Sequence, residues 1–177
     1  MTMNRENENQ QTVILKWNPS ISSYKMDQFE EELDLIDDGF IIDDANWSVW
    51  EYDKAKNGDK FYMLKVGPGV NGIVMCGVLT SEPYQCEDWS GKGRTVYYMD
   101  MGITEMIHPD RCPILTSEEL AKAIPDFDWN GGHSGVVLTQ EQAQKLNALW
   151  KIYLEKHTEI FLPRVAKCDI SDYLDEL

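Results

Sequence analysis

Short strand-like runs separated by glycine turns occupy the middle of the chain and limit the folds it can adopt. After Gly39, four such runs follow one another, over residues 47–52, 60–66, 72–81 and 95–107. Turn signals lie between them at Asn57-Gly58-Asp59, Gly67-Pro68-Gly69 and Ser90-Gly91-Lys92-Gly93. Several short strands with few helices between them are typical of a small β-barrel.

Two glycines bracket the central strand-like run of this region. Gly72 begins the run and Gly77 interrupts it. A glycine within a strand marks a bulge, a barrel corner or the close approach of another group. We favour the barrel corner.

Helical patterns flank the strand-like region and make the expected class α+β, a small barrel with a few helices. Apolar residues recur at helical spacing from Met26 to Ile36, and capping boxes at Thr116 and Thr139 open two further helices. We expect a flexible N-terminal tail over 1–11, one domain over 12–160 and an acidic C-terminal tail over 161–177.

Charge argues against a general nucleic-acid binder. The 177 residues carry a formal net charge of -15, whereas affinity for a phosphate backbone comes largely from Lys and Arg. The acidic residues are concentrated between Met26 and Asp44, where there is no Lys or Arg. The ordinary interpretation of this run is a solvent-exposed helix face. From Glu51 to Arg94 acids and bases balance, so the strand-like region is neutral.

The remaining composition predicts a cytoplasmic protein with reduced cysteines. The four cysteines include no CxxC pair, and no run approaches the roughly 20 apolar residues needed to cross a membrane.

Enzymatic motifs are missing from the sequence. The three histidines have no metal-ligand spacing, and there is no nucleophile elbow, Walker loop or dinucleotide fingerprint. His133 lies beside Ser134, but the sequence indicates no acidic residue that would orient this histidine as a catalytic base. We therefore expect neither catalysis, nor a metal, nor a cofactor.

Two tryptophans in polar surroundings stand on either side of the central strand-like run. Trp47 lies between Asn46 and Ser48, and Trp89 lies between Asp88 and Ser90. Such rings suit the covering of a flat ligand, although Trp47 at the start of a strand is equally typical of a core indole.

These segments, taken in order, resemble the PUA-like superfamily. The matching pieces are Trp47-Ser48, the Gly58-Asp59 strand, the 72–84 segment, Asp88-Trp89-Ser90-Gly91-Lys92, and Asp128-Trp129-Asn130 with Ser134-Gly135. The chain is similar to the EVE branch and more distantly to YTH domains, small barrels whose members bind modified bases in single-stranded or flipped-out form.

The resemblance implies an aromatic cage with Trp47 and Trp89 as its walls. Stacking of a base on an aromatic ring contributes about 1–3 kcal/mol to binding, while polar groups must distinguish one base from another. The candidates for reading a base edge are Asn46, Ser48, Asn130 and Ser134, and Tyr84 is expected to narrow the mouth of the pocket.

Other residues near these segments have two open interpretations each. Trp129 is either a plug over the barrel mouth or a third wall of the cage, and Lys92 and Arg94 either hold a phosphate or are simply solvated. Strand alternation turns Trp50 away from Trp47, so we expect Trp50 to pack.

Two functions remain open at this point. The first is a non-catalytic module that captures a modified nucleobase of DNA or RNA in the aromatic cage. The second is an acidic interaction module that docks a basic protein or imitates nucleic acid.

Overall fold

The computed structural model describes residues 9–87 and 91–175. In chain order the elements are β1 (Thr12–Trp17), α1 (Met26–Asp37), β2 (Ile42–Ser48), β3 (Lys60–Lys65), β4 (Gly72–Leu79), β5 (Tyr84–Glu87), β6 (Thr95–Met106), α2 (Ser117–Ala123), β7 (Val136–Val137), α3 (Gln140–Lys156) and α4 (Thr158–Asp175). The α+β prediction is correct, and most boundaries agree with the sequence patterns. No helix within the described ranges is long and apolar enough to cross a membrane.

The strands form one mixed sheet in the order β2-β6-β4-β3-β1-β7, with β5 paired to β6. β1 runs parallel to β3, and the other pairs are antiparallel. The predicted barrel needs correction, because within the described residues no ladder joins the edge strands β2 and β7. Two backbone bonds, from Trp50 N to Ser134 O and from Glu51 N to Gly135 O, link the segments beside those edges instead.

Gly77 occupies a β-bulge in the centre of the sheet. The register between β4 and β6 shifts between Cys76 and Gly77. A Cβ at Gly77 would overlap the carbonyl oxygen of Gly102 on β6. A bulge with close backbone approach therefore explains this glycine, and the favoured barrel corner does not.

β2 begins earlier than its sequence suggested, at Ile42 rather than at Trp47. A register irregularity between Ile42 and Ala45 leaves both Asp43 and Asp44 exposed, which breaks the alternation that a regular strand would show. The strand ends at Ser48, so Trp50 lies in the turn that follows.

The sheet is covered by helices on both faces. On the inner face, Trp17 of β1 stacks on Phe29 of α1. Tyr62 of β3 points to the opposite face by alternation, and there Trp150 of α3 packs edge-on against it. Both capping boxes are present: Thr116 with Glu119 caps α2, and Thr139 with Gln142 caps α3.

α4 continues beyond the predicted domain boundary at residue 160. The buried guanidinium of Arg164 donates to Asp37 Oδ1 of α1 and to Glu105 Oε2 of β6. This residue therefore fastens α4 to the domain, and the first part of the predicted C-terminal tail packs against α1 and β6.

Candidate functional site

A groove of about 480 Å³ opens along the edge strand β2 and is named here the main groove. It separates β2 from the loop that joins β1 to α1. Its lining residues are Lys16, Asn18, Ile21, Ser22, Ser23, Tyr24, Gln28, Asn46, Trp47, Ser48, Val66, Tyr98, Gly132 and Ser134. Four predicted site residues, Asn46, Trp47, Ser48 and Ser134, therefore lie together.

Trp47 forms one wall of the main groove. Its Cα partner on β6 is the buried Met99, so the indole lies on the inner face of the sheet at the rim of the core. Its Nε1–H donates to Lys16 O at 3.1 Å, which fixes the ring plane. The Tyr24 ring meets it edge-on, with ring centroids 5.8 Å apart and planes at 86°. Trp47 and Tyr24 thus form a right-angled aromatic corner.

Asn46 and Ser48 lie on the opposite face of β2 from the Trp47 ring. Alternation places them beside Asp100 and Tyr98, their Cα partners on β6. Asn46 is exposed and Ser48 is partly buried. Because β2 is an edge strand, side chains from both of its faces reach the groove.

Ser134 holds the main groove together. Its hydroxyl oxygen accepts a hydrogen bond from Lys16 N at 2.9 Å and its proton is directed to Ser48 O at 3.4 Å. The residue therefore links the ends of β1 and β2. A single hydroxyl proton engaged in this way is not free for a base edge.

Lys16 is the basic side chain of the main groove. Its Nζ donates to Asp128 O at 2.8 Å and lies 5.5 Å from the centroid of the Phe127 ring. Burial lowers the pKa of Lys16, and the nearby Asp128 charge opposes this effect in part. The ammonium group therefore lies in a less hydrated setting, where an anionic ligand would interact with it more strongly.

A smaller inner cavity of about 170 Å³ lies behind Trp47. Tyr24, Asn46 and Trp47 border both spaces. The other lining residues are Glu32, Ala45, Met63, Met75, Met101 and Ile103. Burial raises the pKa of Glu32, whose Oε2 accepts from the Tyr24 hydroxyl at 3.1 Å. The wall behind the indole is thus mostly apolar.

Tyr84 lies on β5, outside the lining of the main groove. Its hydroxyl donates to Asp100 Oδ1 at 2.7 Å. Burial and this hydrogen bond raise its pKa to about 12, so the phenol stays neutral at physiological pH. Its contacts make it a support for the strand next to β2 rather than the narrowing mouth that was expected.

A second groove of about 680 Å³, named here the aromatic groove, adjoins the main groove. Trp50 stacks on His133 with ring centroids 3.7 Å apart, and Tyr52 stacks on Tyr97 at 3.6 Å. Trp50 was expected to pack, and its ring does stack on His133, but the residue is 60% exposed at the surface. Lining residues are Ser48, Val49, Trp50, Tyr52, Gln85, Arg94, Thr95, Val96, Tyr97, His133 and Ser134.

Trp129 is neither a plug nor a third wall. It is 1% exposed, its Nε1–H donates to Ile124 O at 2.9 Å, and its ring packs against Phe127. The physical reason is that the loop folds this large apolar side chain into the core, where the partly buried Phe127 packs beside it. Asn130 is exposed in the adjoining turn, where its backbone N–H donates to Asp128 Oδ1.

The remaining predicted residues come from the turn between β5 and β6. Trp89 lies outside the described residues. Lys92 is exposed and lines neither groove, whereas Arg94 is an exposed member of the aromatic groove. Arg94 is thus the one predicted phosphate ligand that lies beside the candidate site.

Neither groove is lined by an Asp or Glu among the residues that the structure describes. The chain as a whole carries a net charge of -15, so the acidic side chains of the described residues are concentrated away from the two grooves. The lining offers amides, hydroxyls and aromatic rings, together with Lys16 in one groove and Arg94 and His133 in the other. Such a surface suits a flat polar ligand or an anion.

Sequence reasoning missed Lys16, Asn18, Tyr24 and Tyr98, which also line the main groove. Lys16 and Asn18 flank the buried Trp17 at the end of β1, and alternation along that strand was the signal that could have found them. Within the described ranges no group of three or more His, Cys, Asp or Glu could hold a metal ion.

Three solved structures have similar folds. Protein PSPTO5229 from Pseudomonas syringae is 15% identical, and the match covers 78% of this chain and 98% of that one at a TM-score of 0.50. A hypothetical protein from Leishmania major is 11% identical, with 80% and 95% covered and a TM-score of 0.50. The YTH domain-containing protein Mmi1, solved in a complex with RNA, is 11% identical, with 85% and 87% covered and a TM-score of 0.50.

No protein-family model and no curated protein matches the sequence of the chain. At identities of 11–15% the structural matches establish the fold and not the activity. The chain has the PUA-like fold that EVE-type proteins and YTH domains share.

Proposed function

We propose that the protein binds a modified nucleobase of a single-stranded or flipped-out nucleic acid in the main groove, without reacting with it. The observation that carries the proposal is the position of Trp47, a half-buried indole fixed by its bond to Lys16 O in a groove whose described lining residues include no carboxylate. Base stacking on such a ring contributes about 1–3 kcal/mol. The fold shared with Mmi1, which was solved with RNA, supports the same class of ligand.

Base identity, in this proposal, is read by polar side chains at the edge strand. Asn46 offers a donor and an acceptor, and the Ser48 hydroxyl offers both at the other end of the same face. Trp89 is proposed as the second wall on the sequence resemblance alone. Trp129 is not included, because its ring is buried in the core.

Affinity should depend on the pocket more than on charge. The net charge of -15 repels a phosphate backbone, and Lys16 and Arg94 provide local attraction only. We therefore expect a shallow dependence of affinity on salt, since few phosphates are neutralised.

Fluorescence anisotropy with labelled RNA and DNA nonamers tests the proposal. Each strand carries one N6-methyladenosine, one 5-methylcytosine or no modification at its centre. We expect one modified strand to bind at least about tenfold more tightly than its unmodified counterpart, and Trp47→Ala to abolish the preference. Phe40→Ala is the matched control, because this exposed aromatic ring lines neither groove.

Unchanged binding by a folded Trp47→Ala protein would remove the proposal. Because Trp47 also contacts the core, Asn46→Ala provides a second variant at an exposed position. A protein that binds no strand but captures a basic protein in a salt-sensitive manner would support the acidic interaction module instead. Several acidic residues that such a module would present to a basic partner already form ion pairs within the chain. Glu30 pairs with Arg111, and Asp37 pairs with Arg164.

A further inference from the structure

We infer that the aromatic groove is a second subsite, which holds the nucleotide next to the base captured in the main groove. The ligand would then be a single-stranded segment of at least two nucleotides rather than a lone modified nucleoside. This inference rests on the proposed function and extends it to a part of the surface that the sequence resemblance did not include.

The two grooves are neighbours that share part of their lining. Ser48 and Ser134 line both of them, and the Ser134–Ser48 contact forms the boundary between the two spaces. Trp50 follows Ser48 by two positions in the chain and stands on the far side of this boundary. A strand whose base occupies the main groove therefore needs to cross only these two serines to reach the aromatic groove.

The rings of the aromatic groove are exposed yet held in place. Trp50 is 60% exposed, and the His133 ring supports one face at 3.7 Å with planes within 7° of parallel. Tyr52 is supported by Tyr97 in the same way, at 3.6 Å and 10°. Support from one side reduces the side-chain entropy that a ring loses when a ligand stacks on its other side. These pairs are platforms suited to a base.

The charge of this groove also fits a nucleotide. Within the described chain it contains no carboxylate, and its basic members are Arg94 and His133. Gln85 adds an amide whose nitrogen donates to the Tyr97 hydroxyl at 2.9 Å. Aromatic rings combined with a cation at a groove edge are the features by which proteins hold single strands without reading their sequence.

The experiment compares a nucleotide with an oligonucleotide on the same set of variants. The probes are N6-methyladenosine 5′-monophosphate and RNA trimers with N6-methyladenosine at the first, middle or last position, with binding followed by calorimetry. The variants are Trp47→Ala in the main groove, Trp50→Ala and Trp50→Phe in the aromatic groove, and Phe40→Ala as the control.

We expect Trp50→Ala to weaken trimer binding by about tenfold or more and to leave binding of the mononucleotide within about twofold. Trp50→Phe should retain most of the trimer affinity, because a ring remains. Trp47→Ala should weaken both probes. At least one trimer should bind more tightly than the mononucleotide. The position of the modified base in that trimer shows whether the nucleotide in the aromatic groove lies on its 5′ or its 3′ side.

Three results would overturn the inference in distinguishable ways. If Trp50→Ala leaves every trimer affinity within twofold while Trp47→Ala weakens binding, the second subsite is lost and the proposed function stands. If Trp50→Ala weakens the trimers but Trp47→Ala has no effect, the grooves do not act as one site and the proposed function is lost. If neither these probes nor any of the modified nonamers binds the wild type, both the inference and the proposed function are lost.

Discussion

The hydroxyl of Ser134 accepts a hydrogen bond from the backbone N–H of Lys16 at 2.9 Å, across more than half of the chain. This contact fixes the loop before β7 against the end of β1. The same hydroxyl is directed to Ser48 O, so this side chain bridges the ends of β1 and the edge strand β2. It acts together with the bond from Trp47 Nε1 to Lys16 O, which joins the same two strands across the main groove.

Ser134→Ala is expected to lower the free energy of unfolding by about 1 kcal/mol, because Lys16 N loses its acceptor. Ser48→Ala should leave stability nearly unchanged, since Ser134 bonds to the backbone oxygen of Ser48 and not to its side chain. Urea unfolding of both variants measures the difference. Equal stability of the two variants would show that the hydroxyl does not hold the groove.

Gly135 allows the loop to approach β2, and Gly135→Ala should lower the free energy of unfolding by at least about 2 kcal/mol. Its φ is 89°, and a Cβ would overlap the backbone of Val49. Gly58→Ala is the matched control, because Gly58 has a φ of 94° but nothing within 4 Å of the added atom. Urea unfolding of the two variants separates overlap from backbone strain. Similar losses would contradict the close approach.

Asp59 anchors the turn before β3, and Asp59→Ala should cost about 2–4 kcal/mol of stability. The carboxylate is fully buried and accepts from Gln11 N at 3.1 Å and from Lys56 N at 2.9 Å. Asp59→Asn keeps one acceptor oxygen and should lose less. Thermal and urea unfolding would measure both, and an Ala variant as stable as the wild type would exclude an anchoring role.

Glu51 gives stability a dependence on acid pH. Burial alone would raise its pKa, but hydrogen bonds from Lys54 and from Val137 N, together with the Lys54 charge, outweigh burial and lower it. A carboxyl whose folded pKa is lowered stabilises the fold above its unfolded pKa of about 4.3, and this contribution is lost as the pH falls through the folded pKa.

Glu51→Gln should therefore be less stable than the wild type near neutral pH, and the difference should shrink as the pH falls below about 4. Urea unfolding of the two proteins at a series of pH values measures this convergence. A difference that stays constant across the acid range would contradict the assigned cause.

Local sequence patterns were sufficient to predict most elements but not the closure of the sheet. Met26 to Ile36 and the capping boxes at Thr116 and Thr139 determine helices through near neighbours, and these predictions were confirmed. β2 was misplaced because its bulge depends on pairing with β6, which lies far along the chain. The predicted closure into a barrel is not observed among the described residues for the same reason, since edge pairing is a long-range property.

The tryptophans illustrate the same limit at the site. Trp47 and Trp50 line different grooves, but strand alternation does not account for this, because β2 ends at Ser48 and Trp50 lies beyond it. Trp50 is exposed because the turn after β2 carries it outside the sheet, and Trp129 is buried because its loop folds onto the core. Both outcomes depend on loop positions that no local pattern encodes.

The central claim is that a modified base stacks on Trp47, and NMR of the indole ring protons tests it most directly. During titration with an RNA nonamer carrying one N6-methyladenosine, the Trp47 ring protons should shift upfield under the ring current of the base. The Trp150 protons should not move, because that ring is buried between Tyr62 and Tyr153. Saturation of binding without a shift at Trp47 would contradict the account.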